Sequence, residues 1–179
     1  MNLNIDAKKD MTYDAIVVGS GISGGWAAKE LTQKGLKVLM LERGRDVKHI
    51  EGYPTATNNP WDFPHRGRVT TLAAEEYWAN MRTGYTANEE WRHFFENDKE
   101  NPYLEKRKVD WIRGYHVGGR SLMWGRQSYR WNKEDFLANG KEGIGVDWPI
   151  RYEDLAPWYS YVETFVGVSG NKDGIDVLP

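Results

Sequence analysis

The chain has 179 residues, 24 basic against 26 acidic side chains for a net charge of −2, and 40% hydrophobic residues. That balance is globular, neither disordered nor membrane-like, and offers nucleic acid no general attraction and no basic phosphate-tracking surface. The chain has no cysteine, which excludes disulfides, thiolate nucleophiles and cysteine-ligated zinc or iron–sulfur centres.

The length suits one ordinary domain or a piece of a larger one. The opening "MNLNIDAKKDMT" lacks an apolar core and a twin arginine, so residues 1–12 are expected to be a flexible polar tail rather than a signal peptide. "YDAIVV", Tyr13–Val18, is short, apolar and rich in β-branched residues, which predicts a buried parallel strand. Runs of this length are far too short to span a bilayer. A helix is predicted over Ser23–Lys34, with Ile22, Trp26, Ala27 and Leu31 on one apolar side and Gly35 as its stop. "KVLML", Lys37–Leu41, is the second strand, so residues 13–45 form a parallel βαβ unit.

From Asp46 to Arg68 the period dissolves around three prolines, predicting a surface excursion or lid within an irregular region of residues 46–110. "TLAAEEYWANMR" has helical character. "TANEEWRHFFENDKENP" is charged and aperiodic, with an extended course one reading of it. "KRKVDWIRGYHVGGRSLMWG", Lys106–Gly125, runs from a strand-like stretch into a second glycine cluster, opening a last segment of residues 111–179. There "KEDFLAN" predicts a short helix and "RYEDLAPWYSYVETFVGV" an amphipathic one with Pro157 in its first turn. Nine tryptophans and ten tyrosines are scattered through the chain, mostly as expected core or interface surface. There are no internal repeats.

The chemistry starts at Gly19-x-Gly21-x-x-Gly24, between a strand and a helix. The first glycine permits the turn, the second lets a pyrophosphate approach the backbone, and the third lets helix and strand pack closely. Unpaired N–H groups and the positive dipole end of the helix face the phosphates, with Ser20 and Ser23 adding donors. Ala28, Gly35, Val38 and Glu42 agree in register. Glu42 lies 18 residues beyond Gly24, where a carboxylate accepts the ribose hydroxyls of an adenosine. The pattern is a socket for an ADP moiety. A 2′-phosphate would meet Glu42, which disfavours NADP, although Arg43 next door tempers this. "LERG", Leu41–Gly44, resembles the FAD form of the motif, and an irregular segment follows it rather than further βα units. FAD is therefore preferred over NAD.

"YHVGGRSLMWGRQSYRW", Tyr115–Trp131, is the second element. With the first motif it resembles the glucose–methanol–choline (GMC) oxidoreductases, in which a GG-x-S segment lies along the flavin diphosphate and ring. The variant VGG-x-S-x-x-W looks most like the branch of pyranose oxidases and bacterial sugar dehydrogenases, including glucoside 3-dehydrogenases. "WPIRYEDLAPWYSYVE", Trp148–Glu163, is similar to that branch as well.

The resemblance implies an α/β, Rossmann-like FAD-binding (GMC-type) domain, here an incomplete N-terminal portion whose substrate domain lies elsewhere. It implies that Gly19, Ser20, Gly21, Ser23 and Gly24 hold the diphosphate, Glu42 the adenosine ribose, and that Arg43 lies near the adenine. Gly118, Gly119 and Ser121 would follow the diphosphate and ribityl chain, with Met123 and Trp124 near the ring. Some family members bind FAD covalently through a histidine just before that tryptophan; here Met123 cannot form that bond, so the FAD is expected to be non-covalent. The family pattern favours a small residue at Arg120 and asparagine at Trp124, so these departures point away from the alcohol and choline branches.

The family's base is a C-terminal histidine with a histidine or asparagine partner, so no catalytic residue is expected in this chain. His49, His65, His93 and His116 are read as surface or packed residues, and no metal site is expected. The implied activity is an FAD-dependent dehydrogenase oxidising a CH–OH group of a sugar or glycoside, at C3 as the specific form. The alternatives are a pyranose-oxidase-like enzyme using oxygen, an NAD-binding dehydrogenase, and a non-catalytic dinucleotide-binding module. A separate electron acceptor or a small partner subunit is compatible with this resemblance. Location stays open between the cytoplasm and a periplasm reached by export with such a partner.

Overall fold

A computed structural model of the protein describes residues 12–83, 88–171, 173–175 and 177. Apart from Thr12, the expected polar tail lies outside the described residues, as do Thr86 and Ala87 at the head of the charged stretch. The chain divides into two compact units, Met1–Trp124 and Gly125–Pro179.

In the first unit, β1 (Ala15–Val18) pairs in parallel with β2 (Val38–Leu41), from Ala15 opposite Val38 to Val18 opposite Leu41. Helix α1 (Ile22–Gln33) connects them. It ends in a Schellman motif: Gly35 at φ +82° donates to the Thr32 carbonyl (3.0 Å) and Leu36 to that of Leu31 (3.1 Å). Asp14 fixes the start of the pairing by accepting from the Lys37 amide at 2.7 Å. The strand β1 is less buried than its composition predicts. Val17 is buried, whereas Ile16 and Val18 are 62% and 81% exposed. Alternate residues of a strand face opposite sides of a sheet, and these two face a side that the described residues leave open. Ile22, predicted on the apolar side of α1, is likewise exposed.

Residues 46–68 form turns and two short 3₁₀ segments, Pro60–Asp62 and Pro64–Gly67. The helix predicted beyond them is broken into α2 (Thr71–Glu76) and α3 (Trp78–Thr83). Asp98 is the cause. Its amide donates to the Glu76 carbonyl at 2.6 Å and its Oδ2 accepts from the Ala79 amide at 3.0 Å. Both groups are thereby withdrawn from the helical ladder, and a side chain inserted there breaks it. Asp98 also pairs with Arg113 at 2.7 Å, with both side chains almost fully buried. The charged stretch after residue 88 is not extended but turns through a 3₁₀ segment at Arg92–Phe94, which buries Phe94. The strand-like run before the second glycine cluster makes one parallel bridge, His116 to Arg45. Among the described residues this bridge stands outside the named strands. Val17, Ala73, Ala79, Phe94 and Phe95 are the buried apolar core of this unit.

In the second unit, α4 (Lys133–Glu142) starts at a capping box in which Asn132 and Asp135 bond each other's amides at 3.0 and 2.8 Å. Helix α5 (Tyr152–Val166) places Pro157 in its second turn, not its first. The amphipathic pattern dominates the local cost of a missing N–H. Phe136 is buried among the rings of Trp131, Trp148 and Tyr152, with centroids 6.1, 5.9 and 6.5 Å away. No helix among the described residues is long and apolar enough to cross a membrane.

Candidate functional site

Of the three glycines of the first motif, the fold itself requires two, Gly19 and Gly24. Gly19 leaves β1 at φ +91° while its amide donates to the Leu41 carbonyl at 2.7 Å, so the turn is stitched to the end of β2. A β-carbon on Gly24 would lie 2.0 Å from the Gly19 carbonyl oxygen, so only glycine lets α1 pass so close to the turn. Gly21 is different. Its φ of −62° suits any residue, and a β-carbon there would have no neighbour within 4 Å. Nothing in the protein demands glycine at 21. The empty space beside it does, if a ligand is to reach the backbone.

That space lies at the start of α1. No side chain caps the helix and no acidic residue occupies its first turn. The dipole end and the first amides of the helix are thus accessible to an anion. Ser23, exposed in that turn, stands where its hydroxyl is available.

Glu42 sits at the end of β2 facing the same turn. Its Oε2 accepts from the Ser20 amide at 2.8 Å and the Ser20 hydroxyl at 2.5 Å, and its Oε1 from the Gly44 amide at 2.7 Å. Partial burial raises its pKa, but these hydrogen bonds outweigh that and hold the carboxyl below the ordinary glutamate value. The carboxylate is thus ionised and oriented, with lone-pair capacity remaining for further donors. Ser20 is placed differently from its sequence reading. Its amide and hydroxyl point to Glu42, so neither donor is directed to the helix mouth. Arg43 lies over the face of Tyr115, guanidinium to ring centroid 3.7 Å.

The second glycine cluster arrives on the first. The Gly118 amide donates to Ser20 Oγ at 2.9 Å, and a β-carbon on Gly119 would come within 3.0 Å of Gly21 Cα. Gly118 and Gly119 both have positive φ, +89° and +59°, and start the 3₁₀ turn Gly119–Met123. Ser121 donates its hydroxyl to the Gly118 carbonyl, closing that turn. Met123 lies beside Gly114, where an added β-carbon would meet its methyl carbon at 3.2 Å. Trp124 is 42% exposed.

The joint beneath this arrangement was not legible as a site. Arg45 donates its amide to the Tyr115 carbonyl (3.1 Å) and accepts from the Val117 amide (3.0 Å). Its guanidinium reaches the His93 carbonyl at 2.7 Å. His116 is buried against the edge of Phe94, with Nδ1 3.4 Å from the Gly119 carbonyl oxygen. Burial pushes its pKa below the ordinary histidine value, reinforced by Arg45 and opposed by hydrogen bonds to Gly119 and Phe94. It is a packed histidine beneath the second glycine cluster. His49 and His65 are exposed. Among the described residues no group of three or more histidines and acids is placed to hold a metal.

A parallel strand–helix–strand unit with an open, uncapped helix start and an ionised acid at the tip of the second strand defines a dinucleotide-binding fold. The chain belongs to the FAD dependent oxidoreductase family, whose model matches residues 14–151. It is 27% identical over 173 residues to the fructose dehydrogenase large subunit of Gluconobacter japonicus, covering 97% of this chain and 30% of that protein. It is 29% identical over 170 residues to 2-methyl-1,2-propanediol dehydrogenase of Mycolicibacterium austroafricanum, covering 88% of this chain and 25% of that protein. Paromamine 6′-oxidase of Streptomyces fradiae is 30% identical over 168 residues, covering 92% and 25%. The chain therefore spans 30% or less of the length of these relatives. FAD is the cofactor that this membership assigns, and the open space at Gly21 fits its diphosphate.

Proposed function

We propose that this chain is the FAD-binding portion of an oxidoreductase that oxidises a CH–OH group of a sugar or glycoside, with C3 as the specific position. The carrying observation is the uncapped start of α1 facing open space at Gly21. Backbone amides there, with Gly19, Ser23 and Gly24 shaping the turn, hold the diphosphate, and Glu42 takes the adenosine ribose hydroxyls. Arg43, kept on Tyr115, borders the adenine. Gly118, Gly119 and Ser121 continue along the diphosphate and ribityl chain, and Met123 and Trp124 lie toward the ring. Residues 13–45 are the ADP-binding unit, residues 46–110 an irregular insertion or lid, and residues 111–179 a second flavin-contacting segment with the start of the helical region that follows.

When bound, FAD supplies the two-electron acceptor at N5 for the hydride leaving the substrate carbon. By the GMC resemblance, the hydroxyl proton goes to a histidine of the complete protein outside this chain. These residues bind and orient the cofactor. Met123 bears no group able to attach it, so FAD is held without a covalent bond.

The names of two relatives, a fructose dehydrogenase and a paromamine 6′-oxidase, support a sugar-type substrate. A propanediol dehydrogenase among the relatives favours a second reading, a small non-sugar alcohol. The dehydrogenase reading is preferred to the oxygen-using one, and "large subunit" in one relative's name fits a partner subunit. The test is the visible spectrum of the complete protein during addition of sugars, glycosides and small alcohols, with an artificial acceptor or oxygen as oxidant. Bleaching of a flavin spectrum by sugar substrates and turnover with the artificial acceptor are expected. A colourless protein without affinity for FAD would overturn the assignment.

A further inference from the structure

Ser20 stands in the glycine turn at a place where a hydroxyl is ordinarily credited to the phosphate. Its hydrogen-bonding groups are spent elsewhere. It is 8% exposed; its amide and its hydroxyl both donate to Glu42 Oε2, at 2.8 and 2.5 Å, and Oγ accepts from the Gly118 amide at 2.9 Å. The proton order in this chain of bonds is unambiguous. An amide can only donate and an ionised carboxylate can only accept, so the hydroxyl between them must accept from Gly118 and give its single proton to Glu42. A hydroxyl bonded at both ends in this way is polarised along the chain, which strengthens its bond to the carboxylate.

Three parts of the site meet at this one oxygen: the first glycine turn, the acid at the tip of β2, and the second glycine cluster 98 residues away in sequence. We propose that Ser20 is a positioning residue that does not bind the diphosphate: its hydroxyl, oriented by the Gly118 amide, sets the Glu42 carboxylate for the adenosine ribose. This rests on the reading of Glu42 as the ribose ligand. Alanine at this position would remove the hydroxyl donor to Glu42 and the acceptor for Gly118 together. Glu42 would keep its backbone bonds from Ser20 and Gly44 but lose its shortest one, and its orientation toward the ribose would loosen.

The experiment compares the affinity of the complete apoprotein for FAD with that for a flavin dinucleotide whose adenosine lacks both ribose hydroxyls. The unaltered protein is expected to prefer FAD, and Glu42→Ala, which removes every side-chain acceptor, to abolish that preference. Ser20→Ala should weaken FAD binding about tenfold, the scale of one hydrogen bond to a charged group, while weakening the analogue much less, so the preference collapses. Ser20→Cys is nearly the same size and a poor donor, and should behave as Ser20→Ala does should the latter fold badly. Ser20→Thr, which keeps the hydroxyl, should restore the preference. Equal loss for FAD and the analogue in Ser20→Ala or Ser20→Cys would show a phosphate-binding or general structural role and overturn the inference. No preference for FAD in the unaltered protein, or its retention in Glu42→Ala, would instead overturn the ribose reading of Glu42.

Discussion

Gly44 and His116 lie backbone against backbone: a β-carbon on Gly44 would come within 2.2 Å of the His116 nitrogen and 2.3 Å of the Tyr115 carbonyl carbon. This contact seats the bridge between Arg45 and His116, and that bridge delivers Gly118 and Gly119 to the first glycine turn. Gly44→Ala therefore forces main chain, not a flexible side-chain end, to move. Overpacking of this kind costs about 1–3 kcal/mol. Urea unfolding of the complete apoprotein should show that loss, and the purified variant should carry less flavin. Unchanged stability would mean that the two segments do not lie together.

Gly24→Ala and Gly21→Ala should fail in different ways. Alanine is favoured over glycine within a helix by about 1 kcal/mol, but at 24 its β-carbon would meet the Gly19 carbonyl oxygen at 2.0 Å. The clash wins, and the apoprotein should melt at lower temperature. At 21 nothing lies within 4 Å, so the apoprotein should melt as before while FAD binding is lost. Normal flavin content in Gly21→Ala would dismiss the open space as the diphosphate site.

Asp98→Ala should be among the most damaging substitutions in the first unit. It leaves Arg113 buried without its counter-charge and frees the Ala79 amide that Oδ2 accepts at 3.0 Å. Removing one partner of a buried ion pair costs about 3–5 kcal/mol. Chemical denaturation measures it, and a loss below about 1 kcal/mol, the scale of exposed pairs, would contradict the burial.

Acid should weaken the fold through its packed histidines. Burial first, then Arg45, lowers the pKa of His93 and of His116 from 6.5, with His116 adding to the effect on His93; Gly119, Phe94 and Glu96 act in the opposite direction on His116. As pH falls below about 6.5 the unfolded chain takes up protons that the folded one resists, so stability declines until the folded histidines themselves protonate. His116→Gln should flatten this limb in urea titrations repeated across pH. A limb of undiminished slope would assign the acid sensitivity to other groups.

Denaturing the holoprotein in acid or urea should release all of its flavin to the filtrate, because, on the proposed correspondence, Met123 stands where the covalent members of the resembled family carry a histidine. Flavin retained on the denatured chain would refute non-covalent binding.

Much of this was readable in advance. The glycine spacing, the helix stop at Gly35 and the acid at 42 are short-range features, and α1, β1 and β2 form within a residue or two of where composition and spacing predict them. The amphipathic stretch over α5 was legible for the same reason. The split between α2 and α3 was not, since nothing near Tyr77 announces that Asp98 will intercept two groups of the ladder. Nor did the serine in the turn reveal its partners.

What the residues determined by themselves is the βαβ unit and its open helix mouth, because turns, caps and strand or helix periods depend on neighbours a few positions apart. The tertiary structure alone decided that Gly118 would bond Ser20, that His116 would pack under Gly44 and that Glu42 would be held by the turn it faces. Those outcomes depend on which distant amide or carbonyl the folded chain brings within about 3 Å, and local sequence carries no record of that distance.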